Sequence, residues 1–151
     1  MLAKRPWAGM IVPAGATRTL SPTVDAFKLI RLDTLTGSVV TLPPALGSLR
    51  QFDFVVSVLA TSNSHIVKVA NAVDVMRGVI LGSRVDVGNA VLGFAAGATD
   101  DTITLNRTTT GSVSLGEWLE FTDIAAGVWA VRGVLSATGA AFATPFSATV
   151  A

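Results

Sequence analysis

The sequence predicts an all-β fold: an antiparallel β-sandwich or jelly-roll-like domain over residues 24–151, preceded by an extended N-terminal arm over residues 1–23. Three observations predict it. Short runs alternate between apolar and polar residues, the two-residue period of a half-buried strand. Glycine, proline, asparagine and aspartate punctuate those runs at near-regular spacing, as sandwiches and jelly rolls require. No window of about eleven residues or more carries the i, i+3, i+4, i+7 stripe of an amphipathic helix.

Residues 1–23 hold Pro6, Gly9, Pro13, Gly15 and Pro22 among isolated apolar residues, without a helical or strand period. Trp7, Met10 and Ile11 are poor residues to leave in water. The arm therefore either lays them on a neighbouring subunit or folds back on its own domain. Lys4 and Arg5 ahead of an apolar patch superficially imitate a signal peptide, but Pro6, Gly9 and Pro13 interrupt that patch and the segment reads as retained.

The strands follow in order. Residues 24–32 (VDAFKLIRL) read as the first, and 38–42 (SVVTL) as a second that Pro43 and Pro44 must stop, because proline cannot continue a ladder. Residues 45–50 are a short connection with room for one helical turn. Residues 51–59 (QFDFVVSVL) are the clearest long strand, with Phe52, Phe54, Val56 and Val58 on one face. Residues 65–70, 73–81 and 90–96 are further apolar or alternating runs. Residues 134–150 close the chain with small residues and an edge strand near Phe142 and Phe146.

The segment 100–133 carries the firmest local prediction. Strands at 102–105, 117–123 and 128–131 are joined by a Thr/Gly/Ser turn region and by Ala125-Ala126-Gly127. A three-residue hairpin with Gly127 at positive φ sets Ile124 against Val128, Thr122 against Ala130 and Glu120 against Arg132. On the other face Phe121 meets Val131 and Asp123 meets Trp129. That register gives an opposite-charge pair and an apolar pair on alternate faces, and a one-residue slip loses the first. It makes Trp129 a core residue and puts Trp118 on the Glu120 face, as an interface anchor or a ligand platform.

Composition narrows the function classes. The chain has 151 residues, 50% of them hydrophobic and only 14% charged, against about 25% charged in a typical domain. No run approaches the roughly 20 apolar residues of a spanning helix. An outer-membrane barrel calls for longer, regular strands and aromatic girdles, whereas this chain has no tyrosine and 7% aromatics. An assembly protein that hides apolar surface against neighbours remains. A net charge of +1 implies no field for nucleic acid, and the lack of cysteine removes disulfide and thiolate chemistry.

Catalytic patterns are sparse. One histidine, His65, cannot build a His-rich metal site, and it reads as a solvated residue at a turn-to-strand junction. Glu117 and Glu120 flank Trp118 like a glycosidase pair, but a spacing of three puts them on opposite faces of a strand. Asp100, Asp101 and Asn106 lack the pattern of a calcium loop and read as a turn. No catalytic residue, metal or cofactor is expected.

The stretches TITLNRTTTG and GEWLEFTDIAAGVWAVRG, with the late TPFS, resemble a family of small tailed-phage virion proteins that includes head decoration (cement) proteins. The resemblance covers mainly the C-terminal half and rests on turns and strand aromatics. It implies a virion structural protein on the outer surface of the capsid. Such a protein binds across neighbouring subunits of the major capsid protein, associates with itself as a homodimer or homotrimer, and engages neither nucleic acid nor membrane. Trp7, Met10, Ile11 and Trp118 are the expected interface anchors. A phage-tail or head-fibre component, and a lectin-like carbohydrate-binding module with Trp118 as its platform, are the alternatives.

Overall fold

The computed structural model describes residues 10–86, 88, 90–139 and 142–150. These residues are all-β, with no helix among them, and form two mixed sheets. The strands are β1 (Ile11–Pro13), β2 (Thr17–Thr19), β3 (Leu29–Leu32), β4 (Val39–Thr41), β5 (Gln51–Val56), β6 (His65–Lys68), β7 (Val75–Arg84), β8 (Val91–Ala95), β9 (Thr102–Leu105), β10 (Trp118–Ala125), β11 (Val128–Ala137) and β12 (Phe146–Ser147). One sheet has seven strands in the order β1-β3-β5-β10-β11-β7-β8, and the other has five in the order β12-β9-β6-β4-β2.

The antiparallel prediction is corrected here. The first six strands alternate between the two sheets, so β1, β3 and β5 lie parallel in one and β2, β4 and β6 lie parallel in the other. Parallel neighbours need a crossover, usually a helix; in this chain the intervening strand of the opposite sheet serves as the crossover. β9 then runs antiparallel to β6, and β10 antiparallel to β5. The longest pairing, β7 with β11, is parallel over ten residues. Alternating side chains mark which face of a strand is buried but not which strand lies beside it, so the parallel order left no trace in the pattern.

The described part of the expected arm, residues 10–23, takes the second of its two dispositions and pairs into both sheets. β1 is the edge of the seven-stranded sheet and β2 the edge of the five-stranded sheet. The chain from residue 10 onward is therefore folded back on its own domain, and Val12, Ala14 and Leu20 are buried. The predicted strand at 24–32 shrinks to β3, because 21–27 is a turn in which Phe27 adopts φ +61°. The connection at 45–50 is an irregular loop, not a helical turn.

Both sheets feed one core, in which Ile30, Phe52, Phe54, Phe121 and Trp129 from the larger sheet join Val40, Val67 and Ile103 from the smaller. Phe52 meets Trp129 edge-on at 5.7 Å and Phe54 meets Phe121 at 5.3 Å, the geometry aromatic quadrupoles favour. The hairpin register holds from Asp123↔Trp129 through Glu120↔Arg132. At its tip a bulge leaves Ala125, rather than Ile124, opposite Val128. Gly127 has the expected positive φ, +75°.

His65 is fully buried, contrary to the solvated reading. Its Nδ1 accepts the Ser38 N–H at 3.0 Å, which fixes the proton on Nε2, and Nε2 donates to the Val58 carbonyl at 2.9 Å. The neutral ring thus joins the start of β6 to the segments beside β4 and β5. Burial disfavours the imidazolium and lowers the pKa below 6.5, although the Val58 bond and the charge of Asp33 work against this. The unfolded chain takes up its proton first, near pH 6.5. Folding stability is therefore flat just above that pH and falls as the pH drops below it. A urea midpoint that declines between about pH 7 and pH 5.5 is the expected result. With one histidine in the chain, a flat midpoint across that window contradicts the neutral-staple assignment.

Candidate interaction surface

The outward face of the seven-stranded sheet is where exposed apolar side chains meet a concavity. Pairing sets Trp118 between Val55 and Val134, with Leu81 beyond Val134 in the same row. The adjacent row reads Asp53, Glu120, Arg132, Val79. Val79, Leu81, Trp118 and Val134 are all exposed, Trp118 by 40%. They bound a groove of about 590 Å³ over β7, β10 and β11, with Gly78 among its lining residues. On the neighbouring strand β8, Gly93 lies opposite Leu81. A Cβ there would stand 3.6 Å from Val79 and 3.7 Å from Leu81, so glycine leaves both uncovered.

The polar members of the groove are held in place by the protein itself. The Arg77 guanidinium donates to the carbonyls of Met76, Gly97 and Ala98 at 2.8–3.0 Å. Arg132 faces Glu120 at 3.7 Å with most of its side chain in solvent, a geometry worth at most about 1 kcal/mol. Beyond these two guanidinium groups, the groove is lined mostly by carbon.

Of the four expected anchors, Trp7 lies outside the described residues. Ile11 is exposed on β1, and the row Ile11, Leu29, Asp53, Glu120 places it on the same outward face as Trp118. Three strand spacings, about 14 Å, separate the strands of the two. Met10 is half-buried, and its carbonyl accepts the Leu29 N–H. Val79, Leu81 and Val134 were not singled out from the sequence. Val79, Ile80 and Leu81 are consecutive apolar residues, so alternation alone could not say which one faces water.

The candidate chemical groups are separated. Glu117 points inward and Glu120 outward. The buried Glu117 carboxylate accepts the backbone N–H groups of Ser112, Val113 and Ser114 at 2.7–2.8 Å. Burial raises its pKa, against the pull of the Ser114, Val113 and Ser112 bonds. Asp100 caps the Gly97 N–H, Asp101 accepts from Thr102, Thr149 and Val150, and Asn106 accepts the N–H groups of residues 108–110. Asp100 and Asn106 thus organise their own loops, and Asp101 ties residues 149–150 to the start of β9. Among the described residues no three His, Cys, Asp or Glu side chains gather as a metal site would require. No family model, curated protein or solved structure matches the chain.

Proposed function

We propose that this chain is a virion structural protein, a capsid decoration or cement protein on the outer surface of a phage head. It stabilises the shell by binding across neighbouring subunits of the major capsid protein. The observation that carries this reading is the apolar outward face of the seven-stranded sheet, with its groove and half-exposed Trp118. The resemblance of residues 102–133 and TPFS to small tailed-phage virion proteins supplies the kind of particle. The architecture that suits the role is a β-sandwich, whose second sheet supports the first from behind and keeps the binding face rigid.

The mechanism is burial. Each Å² of apolar surface removed from water contributes about 25 cal/mol, and a specific interface takes about 800 Å² from each partner. A ligand that spans two capsid subunits withdraws surface from both, so separating them must re-expose it. The aromatic Trp118 is the residue type that dominates such interfaces. A glycan would ask for convergent polar groups around that ring, and the groove offers mainly carbon, with Arg77 already bonded to backbone carbonyls and Arg132 facing Glu120.

Trp118→Ala tests this directly, with circular dichroism to confirm that the variant is folded at the temperature of the assay. The expected outcome is binding to expanded, undecorated heads weakened by tenfold or more by a protein that keeps its native fold. Unweakened binding by a folded Trp118→Ala protein contradicts the assignment of the sheet face. Loss of glycan binding in place of head binding moves the protein to the lectin class.

A further inference from the structure

The half of the outward sheet face nearer β1 carries a second pattern. Its row reads Ile11, Leu29, Asp53, Glu120, Arg132. Asp53 and Glu120 are therefore direct neighbours on adjacent strands, and like charges directly opposite destabilise a sheet. The Gln51 amide donates to Asp53 at 2.8 Å. Arg132 approaches Glu120 at 3.7 Å from the side away from Asp53. A cation lying against both carboxylates is the arrangement that relieves such a pair.

Burial on this face is uneven. Trp118, Val79 and Arg132 are exposed. Gln51 and Val55, the outward neighbours of Asp53 on its own strand, are half-buried. Asp53 faces the same way, yet it is only 7% exposed, and aspartate is almost never covered to that degree without a partner. The cover lies two strands in from the edge at which residue 10 joins the sheet.

The chain ahead of that edge has matching chemistry. Residues 1–9 (MLAKRPWAG) contain Lys4, Arg5 and Trp7 and no acid. Ile11, at the head of the row, is exposed on this same face. Asp53 is two strand spacings away from β1, about 9.5 Å, and Glu120 three, about 14 Å. Five extended residues, the distance from Met10 back to Arg5, span about 17 Å. Arg5 thus reaches both carboxylates. Trp7, two residues nearer the sheet edge, falls over β3 and β5, where Leu29 and Val55 face outward.

We propose that residues 1–9 cross the outward face of their own sheet as a basic strap, with Lys4 and Arg5 against the facing carboxylates of Asp53 and Glu120 and Trp7 over Leu29 and Val55. Charge complementarity sets the register of the strap, and the apolar contact of Trp7 adds burial. Trp7 then serves its own domain and not a neighbouring subunit. The groove over β7, β10 and β11 lies beyond the strap and stays free for a partner.

The test uses the absence of cysteine from the chain. A nitroxide on the full chain with Ala3→Cys is expected to broaden the backbone amide signals of β5 and β10 around Asp53 and Glu120, and to leave those of β4 and β6 on the opposite sheet sharp. Lys4→Glu/Arg5→Glu, which lies outside the folded strands, should abolish the broadening, and so should Glu120→Lys with the other sheet signals unmoved. Mixing spin-labelled protein with unlabelled, isotope-enriched protein should give no broadening, because the strap stays on its own copy. Broadening that spreads evenly over both sheets, survives Lys4→Glu/Arg5→Glu, or appears in the mixed sample overturns the proposal. None of these readouts involves a phage head, so the outcome is independent of the shell-binding reading.

Discussion

Gly78→Ala removes cooperative folding, and Gly78→Val gives no folded protein. Gly78 lies within β7 at φ +133°, a conformation that L side chains rarely adopt. A Cβ built there collides with the carbonyl oxygen of Val131 and stands 2.9 Å from its carbonyl carbon and 3.1 Å from its nitrogen. All three are backbone atoms of β11, so no rotamer relieves the clash. The strands can only separate, and theirs is the longest pairing in the molecule. Strain of this kind belongs with the single substitutions that exceed 4–5 kcal/mol, comparable to the roughly 5–15 kcal/mol that hold a whole domain together. The expected readout is loss of the thermal transition and of the native near-ultraviolet circular dichroism. A Gly78→Ala protein that melts within a few degrees of wild type contradicts the β7–β11 packing.

Asp123→Ala is the second large effect. Asp123 is buried at the end of β10 and accepts from the N–H groups of Leu46, Gly47 and Ser48 and from the Ser48 hydroxyl at 2.6–3.0 Å. Alanine leaves those donors without their acceptor beneath the 45–50 loop. Removing one side of a buried, charge-assisted network costs about 3–5 kcal/mol; Ser48→Ala, which deletes a single donor, costs about 1 kcal/mol. Burial opposes ionisation of Asp123, but the Ser48 hydroxyl and the N–H groups of Ser48, Gly47 and Leu46 outweigh it and hold the pKa below the ordinary carboxylate value. The unfolded chain is then protonated first as the pH falls. The stabilisation is complete above about pH 4 and is lost on acidification through the lower folded value. Urea unfolding of wild type and Asp123→Asn should therefore differ at pH 6 and converge toward pH 3. A constant difference contradicts the carboxylate's role.

The features legible in the sequence were those encoded by neighbours along a strand. Alternation in WLEFTD sorted buried from less buried positions, as it did for Phe52, Phe54 and Val56 in QFDFVV although Asp53 is buried too, and Glu120 with Arg132 fixed a hairpin register that the structure reproduces. Trp118 could be placed outward by parity with Glu120. The bulge at Ile124 was hidden because counting residues around a turn assumes an unbroken ladder. Parallel pairing was hidden because strand neighbours are chosen by tertiary packing. Phe27 read as a strand aromatic, since nothing in VDAFKLIRL marks a left-handed backbone. The hydrogen-bonding roles of Asp25, Asp74, Glu117 and Asp123 were hidden: Asp74 and Asp123 bind N–H groups distant in sequence that only the fold delivers, and Asp25 and Glu117 bind N–H groups of nearby turns. The 3.6-residue helical period was absent from the sequence, and no helix formed among the described residues.

The most direct measurement of the proposed capsid role is co-sedimentation of the purified full chain with expanded, undecorated phage heads. The account predicts saturable binding at a fixed ratio to the major capsid protein, together with heads that withstand higher temperature before releasing their DNA. Absence of binding at saturating protein, or binding that never saturates and leaves head stability unchanged, contradicts it.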